Sequence, residues 1–289
     1  MTTVGIVGIG LLGSSIAARF IKAGHAVVGF DILPDRIAAL TAMGGKGADS
    51  AAAVARTAEM VCTLLPSLAA AEAAILGAGG ILSGGSPGLT VLQMSTISPA
   101  LTERLAREVT AKGLGFLDCP VSGTTSMVDR GDGSFIVGGE RALFDRWRPV
   151  LESALPRVVH VGHAGQAMTL KLVANLLVAL NSAAAAEALT LARKAGLDLE
   201  LALDVLISSA ATSAMLKVRG PMIIHEDFTP QMKLDLFMKD IHLMQEAAGA
   251  VGAPLPFTDL AERLYAAAQA AGHGSEDLAV VVKALEATR

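Results

Sequence analysis

The chain has 289 residues, enough for two domains of ordinary size. Lysine and arginine number 23 against 27 aspartates and glutamates, and the net charge of −4 argues against a general nucleic-acid binder, which needs a basic surface to neutralise phosphates. With 52% apolar and 17% charged residues the composition is not that of a disordered chain, and two cysteines, Cys62 and Cys119, build neither a disulfide framework nor a metal site.

Val4–Val7 is a short β-rich run that ends in glycines, and Leu11–Ala23 has helical character. Ala26–Phe30 reads as a second strand, followed by a helix over Asp35–Met43. Met60–Leu65 is a third strand closed by Pro66, Leu89–Met94 a fourth, Thr102–Lys112 a helix and Gly115–Asp118 a fifth strand. Ser134–Val137 and Val158–Val161 look like further strands. Strands alternating with helices of this length predict a parallel sheet with crossover connections. After Gly165 the pattern changes. Gln166–Ala195 reads as one long Leu- and Ala-rich helix stopped by Gly196, and Leu199–Ser208, Met232–Gly249, Asp259–Ala271 and Leu278–Ala287 read as helices too. The expected fold class is α/β: an N-terminal Rossmann dinucleotide-binding domain over 1–161, then an all-helical domain over 162–289.

The start, Met1-Thr2-Thr3, lacks the basic segment and cleavage site of a signal peptide. The most membrane-like stretch, between Lys171 and Glu187, is short and carries Asn175, Asn181 and Ser182. A soluble cytoplasmic protein with no membrane partner is expected.

Gly8-Ile9-Gly10-Leu11-Leu12-Gly13 fits G-x-G-x-x-G between a strand and a helix. The first glycine permits a tight turn, the second lets a pyrophosphate approach the backbone, and the third lets helix and strand pack closely. The helix start supplies N–H groups and positive dipole for phosphates. Asp31, eighteen residues past Gly13, is placed to accept both ribose hydroxyls of NAD and to repel the 2′-phosphate of NADP. Ile32 and Leu33 offer that phosphate no cation, so NAD is expected over NADP; Asp35 reads as the cap of the helix that follows.

Lys171 and Asn175 lie four apart on the long helix and project from one face. By itself this segment is read most simply as a lysine snorkelling to water. In a cleft, desolvation would lower its pKa toward neutrality and let it trade protons with an alcohol or carbonyl.

Taken together these segments resemble the 3-hydroxyacid (β-hydroxyacid) dehydrogenase family, 3-hydroxyisobutyrate dehydrogenase-like, over nearly the whole chain. The residues that carry the resemblance are Val4–Gly13, Lys22–His25, Leu65-Pro66, Ser95–Pro99, Asp118–Gly123 with Val137–Gly139, Gly165 through Lys171 to Asn175, and Lys239-Asp240. It implies an NAD-dependent oxidoreductase of small 3-hydroxyacids or the corresponding semialdehydes, with Lys171 as general acid/base and Asn175 holding substrate and lysine. It implies that Ser122 and Gly123, with Thr124 at the rim, bind the substrate carboxylate. Gly8, Gly10, Leu11, Leu12, Gly13, Asp31, Leu65, Pro66, Thr96 and Lys239 would contact the cofactor, and no metal is implied. The resemblance also implies a homodimer or homotetramer formed through the helical half. Thr124 and Met127 depart from the family's glycines, and Ala174 stands where the first of two asparagines is usual, so the pocket rim is this chain's own. An imine reductase, a semialdehyde or sulfolactaldehyde reductase, or a cofactor-binding module without turnover are the alternatives; Lys171 counts against the first and last.

Among the remaining residues, His160 and His163 read as loop histidines bonded to backbone. Met215, Met222, Met232, Met238 and Met244 read as helix core, Lys217 and Arg219 as solvated helix-end charges, and Ser275 as the cap of the last helix.

Overall fold

The computed structural model describes residues 1–287. It divides into two compact units, residues 1–171 and the remainder from Leu172, and the division falls inside one helix, Gln166–Lys194.

The first unit alternates strand and helix: β1 (Thr3–Val7), α1 (Leu11–Lys22), β2 (Ala26–Phe30), α2 (Pro34–Ala42), β3 (Lys46–Gly47), α3 (Ala51–Thr57), β4 (Met60–Thr63), α4 (Leu68–Leu76), α5 (Ile81–Gly84), β5 (Thr90–Gln93), α6 (Pro99–Ala111) and β6 (Gly115–Asp118). Then come β7 (Val121–Ser122), α7 (Thr125–Arg130), β8 (Ser134–Gly139), α8 (Arg141–Ala154), β9 (Arg157–Gly162) and the start of α9 (Gln166–Lys194). The strands form one sheet in the order β3-β2-β1-β4-β5-β6-β8-β7, with β9 beside β8. From β3 to β6 every pairing is parallel, whereas β8 runs antiparallel to β6 and β7. Covered on both faces, β1, β4 and β5 are buried at consecutive positions in place of an alternation, apart from Thr3 at the start of β1. The order reverses between β1 and β4, which opens a crevice at their carboxyl ends.

Two apolar clusters fill the faces of this sheet. One packs Phe20, Phe135, Phe144 and Trp147 with Ile6 and Leu117, and the other packs Val54, Ile75, Ile81, Leu105 and Phe116 with Val91. Gly5 lets α3 lie close against β1, since a Cβ there would sit 2.5 Å from Val54 Cγ1. Trp147 is buried and its Nε1 donates to Thr90 Oγ1 at 2.8 Å, so the indole N–H is satisfied within the core.

The second unit is helical: α9 continues, then α10 (Leu199–Ser208), α11 (Ala214–His225), α12 (Leu234–Val251), α13 (Pro256–Ala268), a short π turn (Gln269–His273), a 3₁₀ turn (Leu278–Val280) and α14 (Val281–Ala287). Among the described residues it holds no strand, only an isolated bridge between Lys233 and Asp277. Its core is Leu203, Leu216, Ile223, Phe237, Ile241, Met244, Tyr265 and Leu278–Val282. Tyr265 donates its buried hydroxyl to the Ala179 carbonyl at 2.8 Å.

Several expectations need correction. Arg219 is no solvated charge: it is 1% exposed and its Nε lies 2.9 Å from Asp277 Oδ1. Asp277, not Ser275, caps the 3₁₀ turn by accepting from Ala279 N, and its Oδ2 also holds Gln231 N and Met232 N. That carboxylate gathers a loop, a helix and the C-terminal segment at one buried point, so either partner alone would be an uncompensated charge. Asp35 is a first-turn acid of α2, whose cap position is Leu33. Met232 precedes α12 and is 37% exposed, while Met238 and Met244 are buried as expected. The apolar stretch near Lys171 is part of a helix of 29 residues, long and apolar enough to cross a membrane by length and composition, and 44% of that window is buried in the protein itself.

Candidate active site

The turn after β1 sits at the switch point of the sheet. Gly8 has φ +93°, and a Cβ there would lie 2.3 Å from the Leu64 carbonyl oxygen. A Cβ on Gly13 would lie 2.1 Å from the Gly8 carbonyl oxygen, so both glycines are needed for α1 to begin this close to the sheet. Gly10 differs, because nothing lies within 4 Å of its Cβ position. Packing of the fold therefore does not require a glycine at this position. Gly10 caps α1 without a side-chain bond, and the first turn carries no acid. The N–H groups of Leu11, Leu12 and Gly13 therefore point out of a helix start with positive partial charge, suited to a phosphate.

Asp31 follows β2 and is fixed from two sides. Its Oδ2 accepts from Ile9 N at 2.7 Å and its Oδ1 from Leu33 N at 3.0 Å. Each oxygen keeps a lone pair for a hydroxyl donor. Leu11 and Ile32, 57% and 85% exposed, offer apolar surface nearby in the chain. An open cradle, an uncapped helix start and a fixed carboxylate fit a dinucleotide.

The loops after β4 and β5 are tied together by a buried polar network. Gln93 Oε1 accepts from Thr63 Oγ1 at 3.1 Å and from Ser95 N at 2.7 Å, and its Nε2 donates to the Ser95 carbonyl at 2.7 Å. Ser95 Oγ donates to the Thr63 carbonyl at 3.1 Å and accepts from Leu65 N at 2.9 Å. Leu65 and Pro66 on one loop and Thr96 on the other are thereby held in register.

The signature after β6 has its own geometry. Ser122 lies in β7 opposite Ser134 of β8. Gly123 has φ +136°, a conformation that disfavours any side chain. Thr124 caps α7 through Met127 N, and its hydroxyl lies 2.9 Å from Ser126 Oγ, so this side chain is engaged locally. Asp118 is fully buried; its Oδ2 accepts from Gly165 N and Met168 N, each at 2.9 Å, while its Oδ1 accepts no bond among the described residues. Burial raises its pKa to about 7 against the opposing pull of those N–H groups. Burial likewise pushes the Cys62 and Cys119 thiols up, which makes them packing residues and not nucleophiles.

On α9, Lys171 is half-buried and Asn175 is buried, one turn apart. Asn175 Nδ2 donates to Asp240 Oδ2 at 2.9 Å, and the ammonium of Lys239 lies 2.9 Å from Asp240 Oδ1. His160 Nε2 lies 3.0 Å from the Gly139 carbonyl and His163 Nδ1 2.9 Å from that of Ala164, the backbone partners expected of them. No group of three or more His, Cys, Asp or Glu suited to a metal occurs among the described residues.

Residues 3–162 match the family described as the NAD binding domain of 6-phosphogluconate dehydrogenase, and residues 165–285 match the NAD-binding family of NADP-dependent 3-hydroxyisobutyrate dehydrogenase. The chain is 33% identical to 2-(hydroxymethyl)glutarate dehydrogenase of Eubacterium barkeri over 98% of its own length and 94% of that protein's. The chain belongs to the 3-hydroxyacid dehydrogenase family. L-Threonate dehydrogenase of Escherichia coli (strain K12) is also 33% identical, covering 97% of this chain and 93% of the relative. The crystal structure of 3-hydroxyisobutyrate dehydrogenase from Salmonella typhimurium superposes with a TM-score of 0.90 at 33% identity, covering 98% of this chain and 99% of that one. Membership of this 3-hydroxyisobutyrate dehydrogenase-like family makes the protein an NAD(P)-dependent oxidoreductase of small 3-hydroxyacids.

Three side chains of the site had no expected role: Gln93, Asp118 and Asp240. The partners that tie them across the fold lie 30 to 65 residues away in the chain, so no local pattern announces those bonds. Asp118 and Asp240 do stand inside motifs quoted from the sequence.

Proposed function

We propose that the protein oxidises a small 3-hydroxyacid with NAD, with Lys171 exchanging the hydroxyl proton. The observation that carries this reading is the pair on α9: Lys171 and Asn175 one turn apart, with Asn175 held by the buried Asp240. Nicotinamide, when bound, supplies the hydride exchange. In the oxidative direction the neutral amine of Lys171 takes the hydroxyl proton, and in reverse its ammonium returns it to the carbonyl oxygen. Asn175 orients substrate and lysine, because Asp240 fixes which way its amide points. Ser122 and the Gly123 N–H receive the substrate carboxylate, and Thr124 shapes the rim. Gly8, Gly10, Leu11, Leu12 and Gly13 hold the pyrophosphate, and Leu65, Pro66, Thr96 and Lys239 the nicotinamide end.

The choice of NAD rests on Asp31, since one of the matched family descriptions names NADP. A carboxylate anchored by two backbone N–H groups cannot swing away from a 2′-phosphate, and repulsion follows. The substrate is a small molecule, and a cytoplasmic location follows from dependence on a cofactor held inside the cell. A homodimer or homotetramer is supported by α9, where Leu170, Val173, Leu177 and Leu191 are 43%, 51%, 54% and 71% exposed along one helix. Static light scattering at micromolar concentration would read a multiple of the chain mass, and a monomer would contradict it.

The testing experiment follows reduced-cofactor formation with 3-hydroxyisobutyrate, L-threonate, glycerate, serine and 3-hydroxypropionate, with NAD and NADP in parallel. Turnover of one acid with NAD above NADP is expected. Binding of NAD without turnover of any acid or of its semialdehyde would overturn the reading.

A further inference from the structure

We infer that Asp118 is the N-terminal cap of α9 and acts as a positioning residue for Lys171. The inference rests on Lys171 being the acid/base. A helix start leaves N–H groups that a side chain at the cap position ordinarily receives. The residue before α9 is Gly165, which has no side chain to do so. Asp118, 47 residues earlier at the end of β6, supplies the missing acceptor: its Oδ2 takes Gly165 N and Met168 N, the pattern of a local cap made from a distant strand. A carboxyl this deep is costly to bury, and both of its hydrogen bonds go to the helix start.

Two glycines fix the same turn. A Cβ on Gly138 of β8 would lie 2.6 Å from the His163 carbonyl oxygen and 3.3 Å from Ala167 N, so β8 touches the backbone directly. Gly165 has φ +93°, a conformation that favours glycine, and a Cβ there would lie 2.9 Å from Glu103 Cγ. The axial position and rotation of the first turn are thus set by β6, β8 and α6. Lys171 is three residues beyond Met168, within the next turn, and inherits that setting. A slip of one residue would move its backbone by about 1.5 Å and rotate it by about 100°. Proton transfer requires hydrogen-bond reach, so such a displacement is felt in turnover. The strand end that carries Asp118 runs directly into Ser122 and Gly123. One short segment therefore sets the proposed carboxylate contacts and the start of the lysine's helix together.

The test compares Asp118→Ala and Asp118→Asn with the parent, using L-threonate or 3-hydroxyisobutyrate, whichever the parent oxidises faster. The alanine variant is expected to lose kcat by about 100-fold with KM and cofactor affinity little changed. Asn keeps an oxygen for both N–H groups and is expected to restore most of kcat. Hydrogen exchange at Gly165 and Met168 is expected to quicken in the alanine variant and not in the asparagine variant. Should the alanine variant not fold, Asp118→Ser, too short to reach both N–H groups, takes its place. Parent-like kcat with quickened exchange would overturn the inference, and so would an equal fall in kcat for the alanine and asparagine variants. Full turnover by Lys171→Ala alone would instead overturn the role of the lysine, which separates the two failures.

Discussion

Asn175 and Asp240 meet in a buried hydrogen bond, amide nitrogen to carboxylate Oδ2 at 2.9 Å. A carboxylate accepts only, so the amide must turn its nitrogen toward Asp240 and its carbonyl away. This fixes the one donor-acceptor orientation in which Asn175 presents an acceptor elsewhere. Asp240→Ala removes that constraint and leaves the buried amide nitrogen of Asn175 without its acceptor. Loss of kcat by about 100-fold and a lower Tm are expected. Asp240→Asn is expected to recover Tm more than kcat, because two amides can pair in either orientation. Equal recovery of both would assign Asp240 to stability alone.

The glycines of the cradle separate fold from binding. Gly10→Ala meets nothing within 4 Å, so Tm is expected to hold while cofactor affinity falls by about 10-fold or more. Gly13→Ala would drive a methyl to 2.1 Å from a backbone oxygen, and both Tm and affinity are expected to fall. Thermal melts with titration of NADH fluorescence read both. A Gly10→Ala protein with parent affinity would remove the pyrophosphate from that turn.

Asp31 carries the choice between dinucleotides. Asp31→Ser removes the charge and keeps a hydroxyl, so kcat/KM for NAD is expected to fall and that for NADP to rise, shifting the ratio by about 10-fold or more. The variant also loses a backbone tether at Ile9 N, which a melt would report as a small drop in Tm. An unchanged ratio would place the selector elsewhere.

Asp118 gives stability a pH dependence of known sign. Its pKa is about 7 in the fold against 3.8 for a free side chain, so the folded state binds more protons between those values. Stability from this group is complete below about pH 4 and is lost as pH rises to about 7. Asn does not titrate. The Tm of Asp118→Asn relative to the parent is therefore expected to rise between pH 5 and pH 8, by about 5 °C or more. A difference that stays constant or shrinks with pH would contradict the account.

Much of the first unit was legible because its buried parallel strands are short β-rich segments between helices, and the glycine turn follows the first of them. Less visible were α3 and α4, whose alanine-rich segments carry little periodicity; α3 is recognised only once Gly5 is seen to receive it. The expected elements also omit α8, although Phe144, Trp147, Leu151 and Ala154 give it a regular buried stripe. Arg219 shows the limit of local reading. A charged residue on a helix looks solvated until a carboxylate 58 residues away is folded against it. The same holds for the bonds from Gln93 and Ser95 to Thr63 and Leu65, which exist only when β4 and β5 are neighbours.

The central claim is that Lys171 exchanges the substrate proton, and one comparison tests it most directly. Lys171→Ala and the parent are assayed side by side for reduced-cofactor formation and for NADH binding by fluorescence. The account predicts a fall in kcat of about 1,000-fold with binding within about twofold of the parent. Turnover that survives the substitution with binding intact would contradict it.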